Sequence, residues 1–184
     1  MPSITCRLFT DTCSSPRWNE DSDMIFYQTP EGRLGFRDIP PVLAEILRQV
    51  PTCSDLEDEA VEARLFPPPT EDPLEEGARD DWKAYVQPEL HDLFQTSRQT
   101  VDADLRGLKE EGDFFTVEFS SKHVPAWLNT LNQARLALAA QHNFDEGELS
   151  QPGPLQITNE KELALLQINF YAAVQQWLIE TLEE

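Results

Sequence analysis

The last apolar segment of the chain constrains the fold most, because it reads as a helix that is hydrophobic around most of its circumference. Thr158 or Asn159 can cap this helix, and its apolar residues continue to about Leu182. Its polar residues are confined to one narrow strip, formed by Asn169, Gln176 and Glu180. A helix of this kind must be surrounded by other elements. We therefore predict a mainly α protein, a helical bundle around a buried C-terminal helix.

A second segment, Val124–Gln141, supplies a partner helix with an arginine in its apolar face. The apolar stripe of this helix consists of Val124, Trp127, Leu128, Leu131 and Leu138. Arg135 lies between Leu131 and Leu138 on the same stripe. A buried guanidinium without a carboxylate partner is costly, so Arg135 requires a nearby acid if it is buried.

The helix predicted from about residue 89 to residue 108 offers that acid. Its apolar stripe also carries Asp104, and we hypothesise that Arg135 is largely buried and pairs with Asp104. A second interpretation stays open: Arg135, with Asn132 one turn before it, lines a pocket and receives an anionic ligand. The residues that we single out for a structural or ligand-binding role are Arg135, Asn132, Asp104 and Trp127.

Alternating apolar residues predict a small antiparallel sheet beside the helices. Residues 4–8 read as a first strand, and residues 24–28 and 34–39 read as a β-hairpin. Pro30 and Gly32 suit the turn between the two hairpin strands. Phe115, Val117 and Phe119 alternate with polar residues, so a strand near residues 114–120 extends the sheet. The fold class is accordingly mainly α of the α+β type.

The length of 184 residues fits one domain over residues 1–184. We assign the strand and hairpin to residues 4–39 and the helical core to residues 41–182. A proline-rich stretch around residues 67–73 interrupts the helices, but neither flank is long enough to bury a core alone. We therefore interpret this stretch as a surface loop.

The charge of the chain narrows the classes of partner. Lys and Arg number 14 against 34 Asp and Glu, which gives a formal net charge of −20. Such a surface repels nucleic acids and anionic membranes, so we expect neither as a partner. A protein partner fits better. A homodimer stays open if the hairpin edge or the strip beside Trp177 is uncovered.

The cysteines and apolar segments indicate a cytoplasmic protein. The chain has three cysteines and no Cys-x-x-Cys pair, which argues against a disulfide framework. We find no signal peptide and no membrane span, since polar residues interrupt the longest apolar stretch.

Motifs for catalysis or metal binding are weak throughout the chain. His91, His123 and His142 do not have the spacing of a helical zinc site, and His91-Asp92 is a lone dipeptide. The chain has no Gly-rich phosphate loop and no nucleophile elbow. The acidic cluster of residues 55–62 reads as a solvated face. We therefore predict no catalytic residue, no cofactor and no metal site.

The helix that carries Arg135 also carries a family resemblance. Residues 127–138 read Trp-Leu-Asn-Thr-Leu-Asn-Gln-Ala-Arg-Leu-Ala-Leu. This stretch resembles the Trp-Leu-x-x-Leu-Asn-x-x-Arg-Leu-x-Leu pattern of the actinobacterial-type domain-of-unknown-function family 2017. Leu65-Phe66-Pro67 and a final helix with Trp177-Leu178 are similar in the same order, so the resemblance covers roughly residues 32–182. Members are often encoded near the Clp protease adaptor, and some are labelled regulators. The resemblance thus implies an association with regulation or proteolysis and no catalytic residue.

These observations lead to two expectations about function. We expect a non-enzymatic protein-interaction or regulatory module, because the acidic surface and the absence of a catalytic motif favour binding over chemistry. The alternative is a small-molecule or metal-binding enzyme with a pocket near Arg135. A closed Arg135 with an exposed apolar patch elsewhere would favour the first, and a pocket open to Arg135 would favour the second.

Overall fold

The computed structural model describes residues 24–53, 59–70, 76–150 and 157–181. Helices predominate in these ranges, and they are accompanied by one four-stranded antiparallel sheet. The prediction of a mainly α fold with a small antiparallel sheet is confirmed. The strand predicted over residues 4–8 lies outside the described residues.

Two hairpins form the sheet. The first joins β1 (Ile25–Gln28) to β2 (Arg33–Ile39), as the sequence predicted, and Gly32 takes a φ of 78° in the turn. The second joins β3 (Lys109–Glu111) to β4 (Phe114–Ser120). Because β2 also pairs with β4, the strand order is β1-β2-β4-β3. The sequence did not predict β3, since its residues are all exposed and show no apolar alternation.

One helix, α5 (Val124–Gln141), contacts most of the others. The helices α1 (Pro41–Cys53), α2 (Glu59–Leu65), α4 (Gln87–Leu105) and α7 (Glu160–Glu180) all pack against it. This arrangement is possible because α5 has buried residues on several sides. It therefore joins two apolar clusters: a main cluster with the sheet, α1 and α7, and a smaller one with α2.

The C-terminal helix α7 is buried, in agreement with the sequence prediction. Its Tyr171 is fully buried and donates a 2.9 Å hydrogen bond to the carbonyl oxygen of Ile46 in α1. The ring of Trp177 lies 6.0 Å from the ring of Phe36 in β2. Asn159 caps the helix through its side-chain oxygen, which accepts from the backbone N–H of Glu162.

Residues 76–105 form one helical stretch that contains a π turn. The stretch begins with α3 (Glu76–Asp81), passes through the π turn Trp82–Val86 and continues as α4. Pro88 lies two residues after the π turn; a proline clashes with the carbonyl four residues before it, here that of Ala84 within the turn, and a widened turn is one way to accommodate that clash. The π turn contains no buried residue, and the buried residues of α4 all lie in its second half.

The structure corrects one further boundary. A short helix, α6 (Glu146–Leu149), lies in the polar segment after α5, where the residue pattern alone predicts a loop. Asp145 and Glu148 form a reciprocal capping box, with bonds of 2.8 and 3.0 Å, and this local exchange explains the helix.

No helix among the described residues has the length and apolarity needed to cross a membrane.

Candidate functional site

Arg135 lies half-buried where α5 meets α7, and its bonded partner is neutral. Its Nη1 donates a 2.6 Å hydrogen bond to Oε1 of Gln175, whose Nε2 in turn donates to the carbonyl oxygen of Leu128 at 3.1 Å. Its Nε is buried and has no hydrogen-bond partner among the residues described. Burial lowers the pKa of Arg135 because it disfavours the charged form. Asn132, one turn earlier, is exposed.

The predicted pair between Arg135 and Asp104 is wrong, because the Asp104 carboxylate is hydrogen-bonded near the start of α5 instead. Oδ2 of Asp104 accepts a 3.0 Å hydrogen bond from the indole N–H of Trp127. Arg135 lies eight residues further along α5, which is about 12 Å along the helix axis. The apolar stripes showed that both charges face the interior, but stripe position alone does not say which elements meet.

Asp104, Trp127 and His123 form a hydrogen-bonded cluster where α4 meets the start of α5. Nδ1 of His123 lies 2.9 Å from Oδ2 of Asp104, and the Asp104 side chain is only 11% exposed. Trp127 is fully buried and stacks on Phe119 of β4, with ring centroids 4.7 Å apart. The carboxylate therefore satisfies a buried indole N–H and also orients an imidazole.

This cluster supports anchoring better than catalysis. A catalytic Asp-His pair needs a nucleophile or a bound water in reach of the outer imidazole nitrogen. The nearby hydroxyl of Ser120 instead caps the 3₁₀ turn Ser121–His123, where it accepts from the backbone N–H of Lys122. Within the described ranges, no group of three or more His, Cys, Asp or Glu side chains could hold a metal ion.

A groove of about 320 Å³ lies between α2 and the start of the long helical stretch. One wall carries Glu59 and Glu62, and the opposite wall carries Arg79 and Lys83. We call this groove the charged groove; its remaining lining residues are Ala63, Phe66, Pro68, Trp82 and Gln87. It combines both signs of charge with an apolar surface, and Arg135 does not line it.

Three apolar residues on the other side of the same helical stretch are exposed. Tyr85 is 70% exposed, Leu93 is 49% exposed, and Val86 also faces solvent. Tyr85, Glu89 and Leu93 follow each other at four-residue intervals, so they form one row on the helix surface. We call Tyr85, Val86 and Leu93 the outer stripe.

Neither of these two surfaces was predicted from the sequence. The spacing of Leu93 puts it on the apolar stripe of this helix, yet it is exposed, because the buried residues of α4 all lie in its second half. Trp82 and Tyr85 are large aromatic residues in an otherwise polar segment, and that combination is the signal that could have indicated a surface site.

The fold places this chain in a class of mostly helical proteins with a small antiparallel sheet. The cluster at Asp104 and the two surfaces along residues 79–93 add no constellation that defines a known activity. A family model described as domain of unknown function (DUF2017) matches residues 28–182, which is nearly the whole chain. The chain belongs to this family, so the resemblance seen at residues 127–138 is confirmed.

No curated protein and no solved structure gave a match to the chain.

Proposed function

We propose that this protein is a non-enzymatic interaction module that binds a basic, apolar segment of another protein through the outer stripe. The observation that supports the proposal is the exposure of Tyr85, Val86 and Leu93 on one stretch of helix. Tyrosine is among the residues that most often anchor protein interfaces, since it buries a large area at a small cost in side-chain entropy. An exposed set of apolar side chains on a rigid helix suits recognition of a partner helix or strand.

The charges around the outer stripe favour a basic partner. Glu89 lies in the row between Tyr85 and Leu93, and Asp81 and Asp92 are exposed beside it. The chain as a whole carries a net charge of −20. A basic segment would therefore be attracted to this face, and its association would weaken as salt screens the charges.

The same charges disfavour a second copy of this chain as the partner. In a two-fold pairing of this helix, each residue meets its counterpart on the other copy in a reciprocal way. An antiparallel pairing that sets Tyr85 against Leu93 also sets Glu89 against Glu89. Like charges at the centre of an interface are unfavourable.

A regulatory role in the cytoplasm completes the proposal. A protein without catalytic activity acts by changing the activity of its partner or the molecules that its partner binds. Cys53 is a free thiol, which suits a reducing compartment.

The alternative, an enzyme with a pocket at Arg135, has less support. Arg135 is held between α5 and α7 by its bond to Gln175, and other residues line the charged groove. The hydrogen bond that Arg135 makes among the described residues goes to the amide of Gln175, which is neither an acid nor a nucleophile.

A peptide-binding experiment tests the proposal. The probe is an amphipathic helical peptide of leucine and lysine, and its affinity for the full chain is measured by fluorescence anisotropy at several salt concentrations. We expect the double variant Tyr85→Ser/Leu93→Ser to weaken binding by about tenfold or more, which corresponds to about 1.4 kcal/mol. The matched control is Val42→Ser/Ile179→Ser, which removes two exposed apolar residues from α1 and α7.

Two results would overturn the proposal. One is a loss of affinity in the stripe variant no greater than in the control, because binding would then not depend on this face. The other is a dimer in sedimentation that the stripe variant abolishes, because the face would then serve a second copy.

A further inference from the structure

The charged groove has walls of opposite charge that do not neutralise each other. None of the ion pairs formed among the described residues joins Glu59 or Glu62 to Arg79 or Lys83, so their charged atoms lie more than 4.0 Å apart. Two hydrogen bonds within the described part of the chain join these side chains to neutral groups. Oε1 of Glu62 accepts from Nε2 of Gln87 at 3.3 Å, and Nε of Arg79 donates to the carbonyl oxygen of Thr70 at 3.0 Å.

The surface between these walls is aromatic. Phe66 is buried and stacks on His91 of α4, with ring centroids 4.0 Å apart, so its position is fixed by its neighbours. Trp82 lines the groove from the π turn and is half-buried. A ligand in the groove would therefore meet carboxylates on one side, basic groups on the other and rings between them.

We propose that the charged groove binds a small zwitterion with an apolar side chain, in the class of free amino acids and dipeptides. The α-ammonium group would lie at Glu59 and Glu62, the α-carboxylate at Arg79 and Lys83, and the apolar side chain against Phe66 and Trp82. Two residues span about 7 Å when extended, a length that reaches across a separation too wide for direct ion pairs. A volume of about 320 Å³ is at the lower end of the range for small-molecule sites.

The exposure of the walls sets the expected affinity. Glu59, Glu62 and Lys83 are exposed, so water and salt screen each ion pair. We expect a dissociation constant on the order of 1 mM for a dipeptide such as Ala-Phe. Removing one charge of the groove is expected to weaken binding by about threefold to fivefold.

An NMR titration of the full chain with Ala-Phe tests this site. The readouts are the backbone amides of the groove and the indole N–H of Trp82, which is assigned by comparison with Trp82→Phe. We expect shifts at these groups that saturate with added Ala-Phe. Glu62→Gln and Lys83→Gln should each weaken binding, whereas the matched controls Glu45→Gln and Lys122→Gln, which lie on other elements, should not.

Blocked peptides decide whether both charges are recognised. N-acetyl-Ala-Phe lacks the ammonium group, Ala-Phe-amide lacks the carboxylate, and both should bind more weakly than Ala-Phe. The proposal is overturned if either bound as tightly as Ala-Phe, because the groove would then accept one end of a longer chain rather than a zwitterion. Failure of the groove amides to shift at ten times the expected dissociation constant would also overturn it.

This site is independent of the outer stripe. Tyr85→Ser/Leu93→Ser should leave the affinity for Ala-Phe unchanged, and Glu62→Gln should leave the effect of the stripe variant on the leucine-lysine peptide unchanged. Each proposal can therefore fail without the other.

Discussion

Arg135 and Gln133 lie two residues apart on α5. Each has buried polar side-chain atoms that lack hydrogen-bond partners among the described residues. Arg135 donates to the neutral Gln175, while its buried Nε has no hydrogen-bond partner in the described part of the chain. Both polar atoms of the Gln133 amide are buried and lack such partners among the described residues. Polar groups in this state cost stability, so substitutions at these two positions are informative.

Replacing Arg135 by methionine should change stability little. Arg135→Met keeps most of the side-chain volume, removes a partly desolvated charge and leaves Gln175 without one donor, so these effects oppose each other. We expect a change in the free energy of unfolding within about 1 kcal/mol, measured by urea denaturation. Breaking a buried ion pair would cost about 3 to 5 kcal/mol, and a loss of that size would show that the guanidinium has an acidic partner.

Replacing Gln133 by methionine should stabilise the protein. Gln133 is only 1% exposed, and the substitution exchanges an amide for an apolar group of similar length. We expect the free energy of unfolding to rise by about 1 to 2 kcal/mol, read from the urea midpoint at unchanged slope. Gln95→Met on the exposed side of α4 is the control and should have little effect. A destabilised Gln133→Met protein would mean that the amide has hydrogen-bond partners after all.

Removing the Asp104 carboxylate should destabilise the protein through Trp127. Asp104→Ala leaves the buried indole N–H without its acceptor, which costs about 1 to 3 kcal/mol. The neighbouring control Asp102→Ala loses only an exposed ion pair with Arg106 and should cost about 0.5 kcal/mol or less. In a double-mutant cycle, Asp104→Ala should cost less in a Trp127→Phe background. Equal costs in both backgrounds would contradict the role assigned to this bond.

At the scale of elements, the central strand β2 depends on a glycine. A Cβ atom at Gly35 would lie 2.8 Å from the carbonyl oxygen of Val117 in β4 and 2.8 Å from the ring of Tyr27 in β1. The ring of Tyr27 thus lies over Gly35, and its hydroxyl donates a 2.8 Å hydrogen bond to Glu118 across the sheet. The close packing of both neighbouring strands on β2 requires a residue without a side chain here.

Gly35→Ala should therefore be strongly destabilising. The backbone oxygen of Val117 cannot move without disturbing the pairing of β2 with β4, so we expect a loss of about 2 to 4 kcal/mol in the free energy of unfolding. Thermal unfolding followed by circular dichroism measures the change. Gly77→Ala on α3 has open space around the new Cβ and should be neutral or slightly stabilising. A Gly35→Ala protein as stable as wild type would mean that the strands are further apart than the structure places them.

The elements that the sequence predicted correctly are those determined by residues close together in the chain. The first hairpin follows from the Pro30 and Gly32 turn and from alternation on both sides, and α7 follows from the Asn159 cap and an apolar run. The strand β3 was not predicted because Lys109, Glu110 and Glu111 form a charged edge with no apolar face. These charges protect the sheet edge from pairing with another strand. A charged edge of this kind produces no periodic pattern of apolar residues in the sequence.

The candidate sites were less predictable, because they depend on which elements meet. The sequence correctly indicated that Asp104 faces the interior, but Trp127 and His123 became its partners only through the packing of α4 on α5. The charged groove likewise needs α2 beside residues 79–87, a contact between segments that a proline-rich stretch separates in the chain. Patterns within one helix carry no information on such pairings.

For the whole molecule, three buried or partly buried acids of high pKa predict sensitivity to alkaline conditions. Burial raises the pKa of the Cys53 thiol. Burial also raises the pKa values of the Tyr27 and Tyr171 hydroxyls; Glu118 adds to the effect at Tyr27, and Cys53 adds to it at Tyr171. Unfolded, these groups lose their protons near their ordinary pKa values of about 8.5 for cysteine and 10 for tyrosine. The folded state then holds more protons than the unfolded state.

Stability should accordingly fall as pH rises above about 8.5. The contribution of each group is fully present below its unfolded pKa and is lost as pH rises towards its folded pKa. Urea unfolding at pH 7, 9 and 10.5 measures the decline. Cys53→Ala and Tyr171→Phe should each make the profile flatter, whereas Tyr85→Phe at an exposed position should not. A flat profile in the wild type would contradict the raised pKa values.

The π turn Trp82–Val86 has a consequence for the length of the chain. A π turn closes its hydrogen bonds over five residues where an α-helix closes them over four, so it holds one residue more than the same turn of α-helix. Deleting one residue here would let the helix close as an ordinary α-helix while α3 and α4 kept the same sides towards their neighbours. We therefore expect the protein to tolerate the loss of one residue in this segment without a shift in the register of its core.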